Sequence, residues 1–217
     1  SFLAKKSLAT GHPAHCEHMS ELNFAGGRMD GTSSACDAHG GVLHDHFFGQ
    51  STYATYAIAS ERNVVKVRKD VPLELLGPLG CGIQTGSGAV LEAMKVHAGS
   101  ALMAARVAGA TTIIAVDVNP DRLALALELG ATHAVNSREV DPVEEIRNIT
   151  SGGVDFSLEC SGRAEVLRQA IDSLTTLGTC GIVGATREGT EASFNVNDVM
   201  IPGRRIMGIV QGDVVSR

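Results

Sequence analysis

The chain has 217 residues, 44% of them hydrophobic, which is enough for a sizeable core in one large domain or two small ones. Its formal net charge is −6 and its 18 Lys and Arg residues are scattered, which excludes the clustered basic footprint of a nucleic-acid binder. No apolar run approaches the roughly 18 to 20 residues of a membrane span, the opening SFLAKKSLATGHP lacks the pattern of a signal peptide, and five cysteines are too few for a disulfide framework, so a cytoplasmic protein with free thiols or metal ligands is expected.

Residues 1–60 are rich in Gly, His, Ser and Asp, with little helical periodicity. The run FFGQSTYATYAIA, beginning at Phe47, alternates as a strand does, so this part is expected to be loop-rich and β. From Val71 the texture changes: VPLELLGPL is apolar but broken by Gly and Pro, and GSGAVLEAMKV reads as a helix. From Thr111 the punctuation is regular. TTIIAVDV is a buried strand, followed by a helix with Asn119 as N-cap, Pro120 in its first turn and Gly130 as its stop. HAVN is the next strand, and Asp141 with Pro142 repeats the cap before EEIRNIT. VDFSLEC is a third strand, residues 163–177 form a helix with Val166, Leu167, Ala170, Ile171 and Leu174 on one face, and TCGIVGA is a fourth strand. Strand and helix alternating at this spacing require crossover connections, so the fold class is α/β with a doubly wound parallel sheet.

Ligands of such sheets bind beyond the carboxyl ends of the strands, where Asp117 stands. An acidic side chain there accepts both hydroxyls of an adenosine ribose and repels a 2′-phosphate, which favours NAD over NADP. The plainer reading is that Asp117 belongs to a capping turn, as Asp often does before helices. Arg122, one turn on, either lies along the adenosine or is a solvated helical Arg. Cys160 and Cys180 fall in core-like strands and are expected to be small buried hydrophobes. His12, His15, His18, His39, His44 and His46 lack the Cys partners of a zinc motif and are expected to be loop histidines.

Together the segments IIAVDVNPDRL, GATHAVN, GGVDFSLECSG and GPLGCGIQTG resemble the medium-chain zinc-dependent alcohol dehydrogenases. HFFGQSTYATYA and LLGPLGCGIQTGSGAV resemble the aryl-alcohol (benzyl-alcohol) branch. The resemblance implies part of a mainly β, GroES-like catalytic domain over residues 1–82 and a Rossmann-type dinucleotide-binding domain over residues 83–217, with NAD and Zn2+ as cofactors. It implies Cys81 as a catalytic zinc ligand, holding the alcohol oxygen to the metal, and Thr85 beside the nicotinamide. Val183 and Ala185 match backbone positions that bond the nicotinamide amide, Ser161 and Arg163 border the cofactor, and Phe47 and Phe48 form the substrate wall. For these two rings, ordinary core on a half-buried strand is the alternative. The expected reaction is NAD-dependent oxidation of a primary, aryl or benzylic alcohol to an aldehyde by zinc-assisted hydride transfer. Another alcohol, or a thiol adduct of formaldehyde, is the alternative substrate. MIPGRRIMGIV resembles the strand that pairs two subunits across a two-fold axis, so a homodimer or homotetramer is expected.

The chain also departs from that pattern. The family's structural zinc loop spaces four cysteines C-x2-C-x2-C-x7-C; Cys16 matches the last, but the other positions hold Leu8, Lys5 and Phe2, none of which binds zinc. Ser100 runs straight into the body of a helix, where the family has a strand and the G-x-G-x-x-G phosphate turn, so roughly a dozen residues are missing. Either the sequence is a gapped record of a longer enzyme, or the deletion is real and the chain is a non-catalytic dinucleotide-binding fragment. A Cα spacing of about 3.8 Å from Ser100 to Ala101 would mark a genuine bond and a genuine deletion.

Overall fold

The computed structural model describes residues 13–33, 35–49, 55–57, 59, 61, 64–96 and 102–213. The Ser100 to Ala101 junction, and Phe2, Lys5, Leu8 and His12, lie outside the described residues. The chain divides into two compact units, Ser1–Leu75 with Val215–Arg217, and Leu76–Val214. No helix among the described residues is long and apolar enough to cross a membrane.

In the first unit a short helix, α1 (Met19–Phe24), is followed by loops joined through one antiparallel bridge, Cys36 to Val42. Asp37 closes the loop between the bridge residues by accepting from the amides of His39 (2.8 Å) and Gly41 (2.7 Å). Phe47–Gly49 is a tight 3-10 turn, whereas alternation had suggested a strand. His46, Phe48 and Gly49 all take positive φ, and the Gly49 amide returns to the His46 carbonyl at 2.8 Å, a geometry no strand accommodates.

The second unit begins with α2 (Gly82–Gly88), continued by one wider π turn over Ala89–Ala93, and α3 (Leu102–Val107). The regular series follows: β1 (Ile114–Asp117), α4 (Pro120–Glu128), β2 (His133–Asn136), α5 (Pro142–Thr150), β3 (Val154–Glu159), α6 (Ala164–Asp172), β4 (Leu174–Ile182), α7 (Val196–Met200) and β5 (Arg205–Gly208). Caps are where the sequence puts them: the Asn119 side chain accepts from Asp121, and the Asp141 side chain accepts from Val143 and Glu144.

Among the described residues all strand pairs are parallel, as a Rossmann-type sheet requires, but these strands form two sheets, β1-β2 and β3-β4-β5. The doubly wound order 3-2-1-4-5-6 accounts for this division when its first strand is left out: β2-β1 falls on one side of the gap and β3-β4-β5 on the other. One apolar cluster nevertheless spans the unit, with Ile113, Ala115 and Leu123 from the β1 side and Phe156, Leu158 and Met207 packed against it.

Helix α6 stops at Asp172, short of the expected 177. Only Ser173 separates it from β4, because the Ser173 carbonyl accepts from Val154 at 2.9 Å and draws the chain into the sheet. Leu174, expected on the helix face, still reaches the same apolar cluster as Ile171 and Cys180, but from the strand. Ile171 is 1% exposed there. Urea unfolding of the full-length protein should show Ile171→Ala costing about 3 kcal/mol, against about 1 kcal/mol for Asp141→Ala, which removes only a cap; similar losses would contradict the packing assigned to Ile171.

Candidate dinucleotide site at the strand ends

Asp117 is the last residue of β1. Its Oδ1 accepts from the Val118 amide (2.7 Å) and the Asn119 amide (2.9 Å), which is the capping-turn geometry of the plainer reading. Its Oδ2 faces Arg122 Nη1 at 3.5 Å, across a pair whose Arg side chain is 70% exposed, so that contact contributes little. One carboxylate oxygen is therefore committed to the turn, and the other faces a solvated guanidinium.

The end of β3 repeats this arrangement with a longer acid that the sequence analysis passed over. Glu159, 2% exposed, accepts through Oε1 from the Ser161 amide (2.6 Å), the Ser161 hydroxyl (2.5 Å) and the Gly162 amide (3.0 Å). Its main-chain carbonyl accepts from the amides of Val183 (2.9 Å) and Gly184 (3.1 Å), the residues that follow β4. Glu159 thus joins two of the expected cofactor positions, Ser161 and Val183. Since the Val183 amide is used, its carbonyl is the backbone group it could offer a ligand. The signal in the sequence was an acid at the end of a strand followed by Ser and Gly, the counterpart of Asp117.

Gly162 has φ +70°, and a Cβ there would collide with the carbonyl of Ala185; at Gly184 a Cβ would lie 2.5 Å from Glu159 Oε2. The two turns cross with no room for side chains. Arg163 extends outward and pairs through Nε with Glu165 at 2.6 Å. A cleft of about 350 Å³ opens beside the crossing, lined by Glu159, Arg163, Leu167, Ile182, Thr190 and Phe194 among others.

The expected metal ligands are not gathered. Cys81 is exposed in front of α2, and the Thr85 amide bonds to its carbonyl at 2.8 Å. Cys16 is half-buried, its carbonyl accepting from the amide of Met19. Among the described residues no group of three or more His, Cys, Asp or Glu side chains could hold a metal ion, so the donors present do not make up a zinc site. In the first unit Phe47 and Phe48 meet edge-to-face with centroids 4.8 Å apart, and Phe24, which periodicity did not single out, joins them at 5.8 and 5.2 Å.

Cys180 is buried in the core as expected, but Cys160, just past the end of β3, reaches the surface. Protein atoms still crowd its sulfur, and this burial, with the negative charge of Glu159, pushes the thiol up to about 11. In the full-length protein, iodoacetamide at pH 8 should label Cys36 well before Cys160, whose labelling rises only as pH approaches 11. Labelling of Cys160 at pH 8 as fast as Cys36 would contradict that environment.

Residues 99–217 match the zinc-binding dehydrogenase domain family. Geraniol dehydrogenase of Castellaniella defragrans is 40% identical over 94% of this chain and 58% of its own length. Among solved structures, an alcohol dehydrogenase zinc-binding domain protein from Burkholderia ambifaria is 55% identical with a TM-score of 0.89. Benzyl alcohol dehydrogenase from Acinetobacter calcoaceticus is 47% identical with a TM-score of 0.88. Each match covers 97% of this chain and 60% of the other, so the chain spans about three fifths of the length of these relatives. The parallel strands with carboxylates at their ends, the domain match and these likenesses together show that the chain belongs to the zinc-binding dehydrogenase family.

Proposed function

We propose that the full-length protein is an NAD-dependent alcohol dehydrogenase that converts primary aryl or allylic alcohols to aldehydes. In that reaction the hydroxyl proton leaves, the C–H pair on the carbinol carbon passes as hydride to the nicotinamide ring, and the C–O bond becomes C=O. The observation that carries the reading is Asp117 at the carboxyl end of β1, its Oδ2 outside the capping turn, where a dinucleotide ribose binds in such sheets. A 2′-phosphate would face that carboxylate, which supports NAD over NADP, with Arg122 alongside.

Val183 and Ala185 are proposed to bond the nicotinamide amide through the backbone, Thr85 to pack beside its ring, and Ser161 and Arg163 to border the cofactor. The 47% identity to a benzyl alcohol dehydrogenase and 40% identity to a geraniol dehydrogenase support substrates with an unsaturated carbon next to the carbinol. Phe24, Phe47 and Phe48 are proposed as the apolar wall against that group. Cys81 is proposed as one ligand of the catalytic zinc and Cys16 as the last position of the structural zinc loop. Neither thiol alone makes a site, and the metal's contribution when bound is to polarise the alcohol oxygen. A dimer, or a tetramer of dimers, is proposed through β5, which pairs with β4 alone among the described strands.

The test is turnover of benzyl alcohol by the zinc-loaded full-length protein, followed by NADH formation. Wild type should use NAD in preference to NADP. Asp117→Ala should raise the KM for NAD by about tenfold or more, the loss of a charge-assisted hydrogen-bond pair, and narrow the preference. Absence of turnover across aryl and allylic alcohols would overturn the reading, and unchanged NAD kinetics in Asp117→Ala would overturn the role of Asp117.

A further inference from the structure

Glu159 is a buried acid that the proposed reaction does not use. It lies 2% exposed at the end of β3, yet among the described residues it pairs with no cation, and its interactions run to the backbone and to one hydroxyl. Burying a carboxylate costs far more than burying the apolar side chain that would otherwise fill such a place, unless donors surround it. Here they do. Ser161 supplies two, its amide and its hydroxyl, and the Gly162 amide sits between the two carboxylate oxygens at 3.0 and 3.2 Å. The Ser161 oxygen in turn accepts from the Arg163 amide at 3.3 Å, so the same carboxylate fixes the start of α6 through one intermediate. The other half of the junction is held by the main chain of the same residue, whose carbonyl takes the amides of Val183 and Gly184.

From this geometry we infer that Glu159 is a positioning residue for the cofactor site: its carboxylate and carbonyl lock the turn after β3 against the turn after β4, and so hold the backbone of Val183 and Ala185 where the nicotinamide amide is received. The inference rests on the dinucleotide reading above. The absence of side chains at the crossing is part of the device. A Cβ at Gly162 would strike the Ala185 carbonyl, and one at Gly184 would strike both Glu159 Oε2 and the Gly162 amide. The two turns can be this close only because glycine stands at each position and Glu159 accepts the Ser161 and Gly162 amides on its carboxylate and the Val183 and Gly184 amides on its carbonyl. Asp117 lies at the end of a different strand, in the other sheet, and shares no hydrogen bond with Glu159. The adenosine end and the nicotinamide end should therefore respond separately.

The experiment is a pair of titrations on the full-length protein, NADH by its fluorescence and AMP by calorimetry, for wild type, Glu159→Gln, Gly184→Ala and Asp117→Ala, with thermal unfolding of each without cofactor. Glu159→Gln sets an amide NH2 against amide donors, and Gly184→Ala pushes from the other side on the same carboxylate and on the Gly162 backbone that it holds. Both should weaken NADH binding by about tenfold while leaving AMP binding within about twofold of wild type. Asp117→Ala should weaken both ligands by about tenfold or more. A merely structural role for Glu159 would lower unfolding temperature and weaken AMP and NADH together, and that result overturns the inference, as does wild-type NADH affinity in both variants. If Glu159→Gln fails to fold, Gly184→Ala decides by the same split. Failure of wild type to bind either NADH or AMP overturns the dinucleotide reading itself, and is distinguishable because it precedes any variant.

Discussion

A carboxylate at the end of a buried strand obliges the chain to turn its next amides toward it, and the strand-end chemistry of this protein depends on that constraint. At β1 the acid is Asp117, short enough to take two amides on one oxygen and leave the other outside. At β3 it is Glu159, long enough to fold back under Ser161 and Gly162 and to have both oxygens occupied. The difference of one methylene separates a carboxylate that gives one oxygen to its turn from one that gives both.

The sheet explains why both acids lie at the same edge. Parallel strands send all their carboxyl ends to one edge, and each crossover helix returns the chain to begin the next strand in the same direction. The division into β1-β2 and β3-β4-β5 leaves that logic intact on both sides. What unites the halves is apolar packing, with Ile113 and Ala115 before and within β1 buried in the same cluster that receives Phe156 and Leu158 of β3. Hydrophobic contact needs no register, so it can join two sheets that hydrogen bonds do not.

Much of the second unit was legible because its signals are local. Asn119 and Asp141 cap helices by bonds to amides two or three residues away, and HAVN and VDFSLE become strands at the places their apolar character suggests. The errors arose where distant contacts decide. Leu174 carries helical periodicity, but the Ser173 carbonyl is taken by β3 and the helix ends. Phe47 and Phe48 read as an alternating strand, yet positive φ at His46, Phe48 and Gly49 curls them into a turn where Phe24 packs against both. Glu159 was missed for a related reason: an acid inside an apolar strand pattern looks like an exposed position, and only the crossing of two distant turns, at Gly162 and Gly184, reveals that it is buried. The family, by contrast, was readable from short segments, because the residues at strand ends and caps are those that backbone geometry restricts most.

The claim at the centre of this account is that the carboxyl ends of β1, β3 and β4 hold a nicotinamide dinucleotide. The most direct measurement is a crystal structure of the full-length protein with NAD bound. The account places the adenosine ribose hydroxyls within hydrogen-bond distance of Asp117 Oδ2, and the nicotinamide amide against the backbone of Val183 and Ala185, with the Glu159 contacts to Ser161 and Gly162 unbroken. NAD bound away from Asp117, or a turn at Ser161 and Gly162 that releases Glu159 on binding, would contradict it.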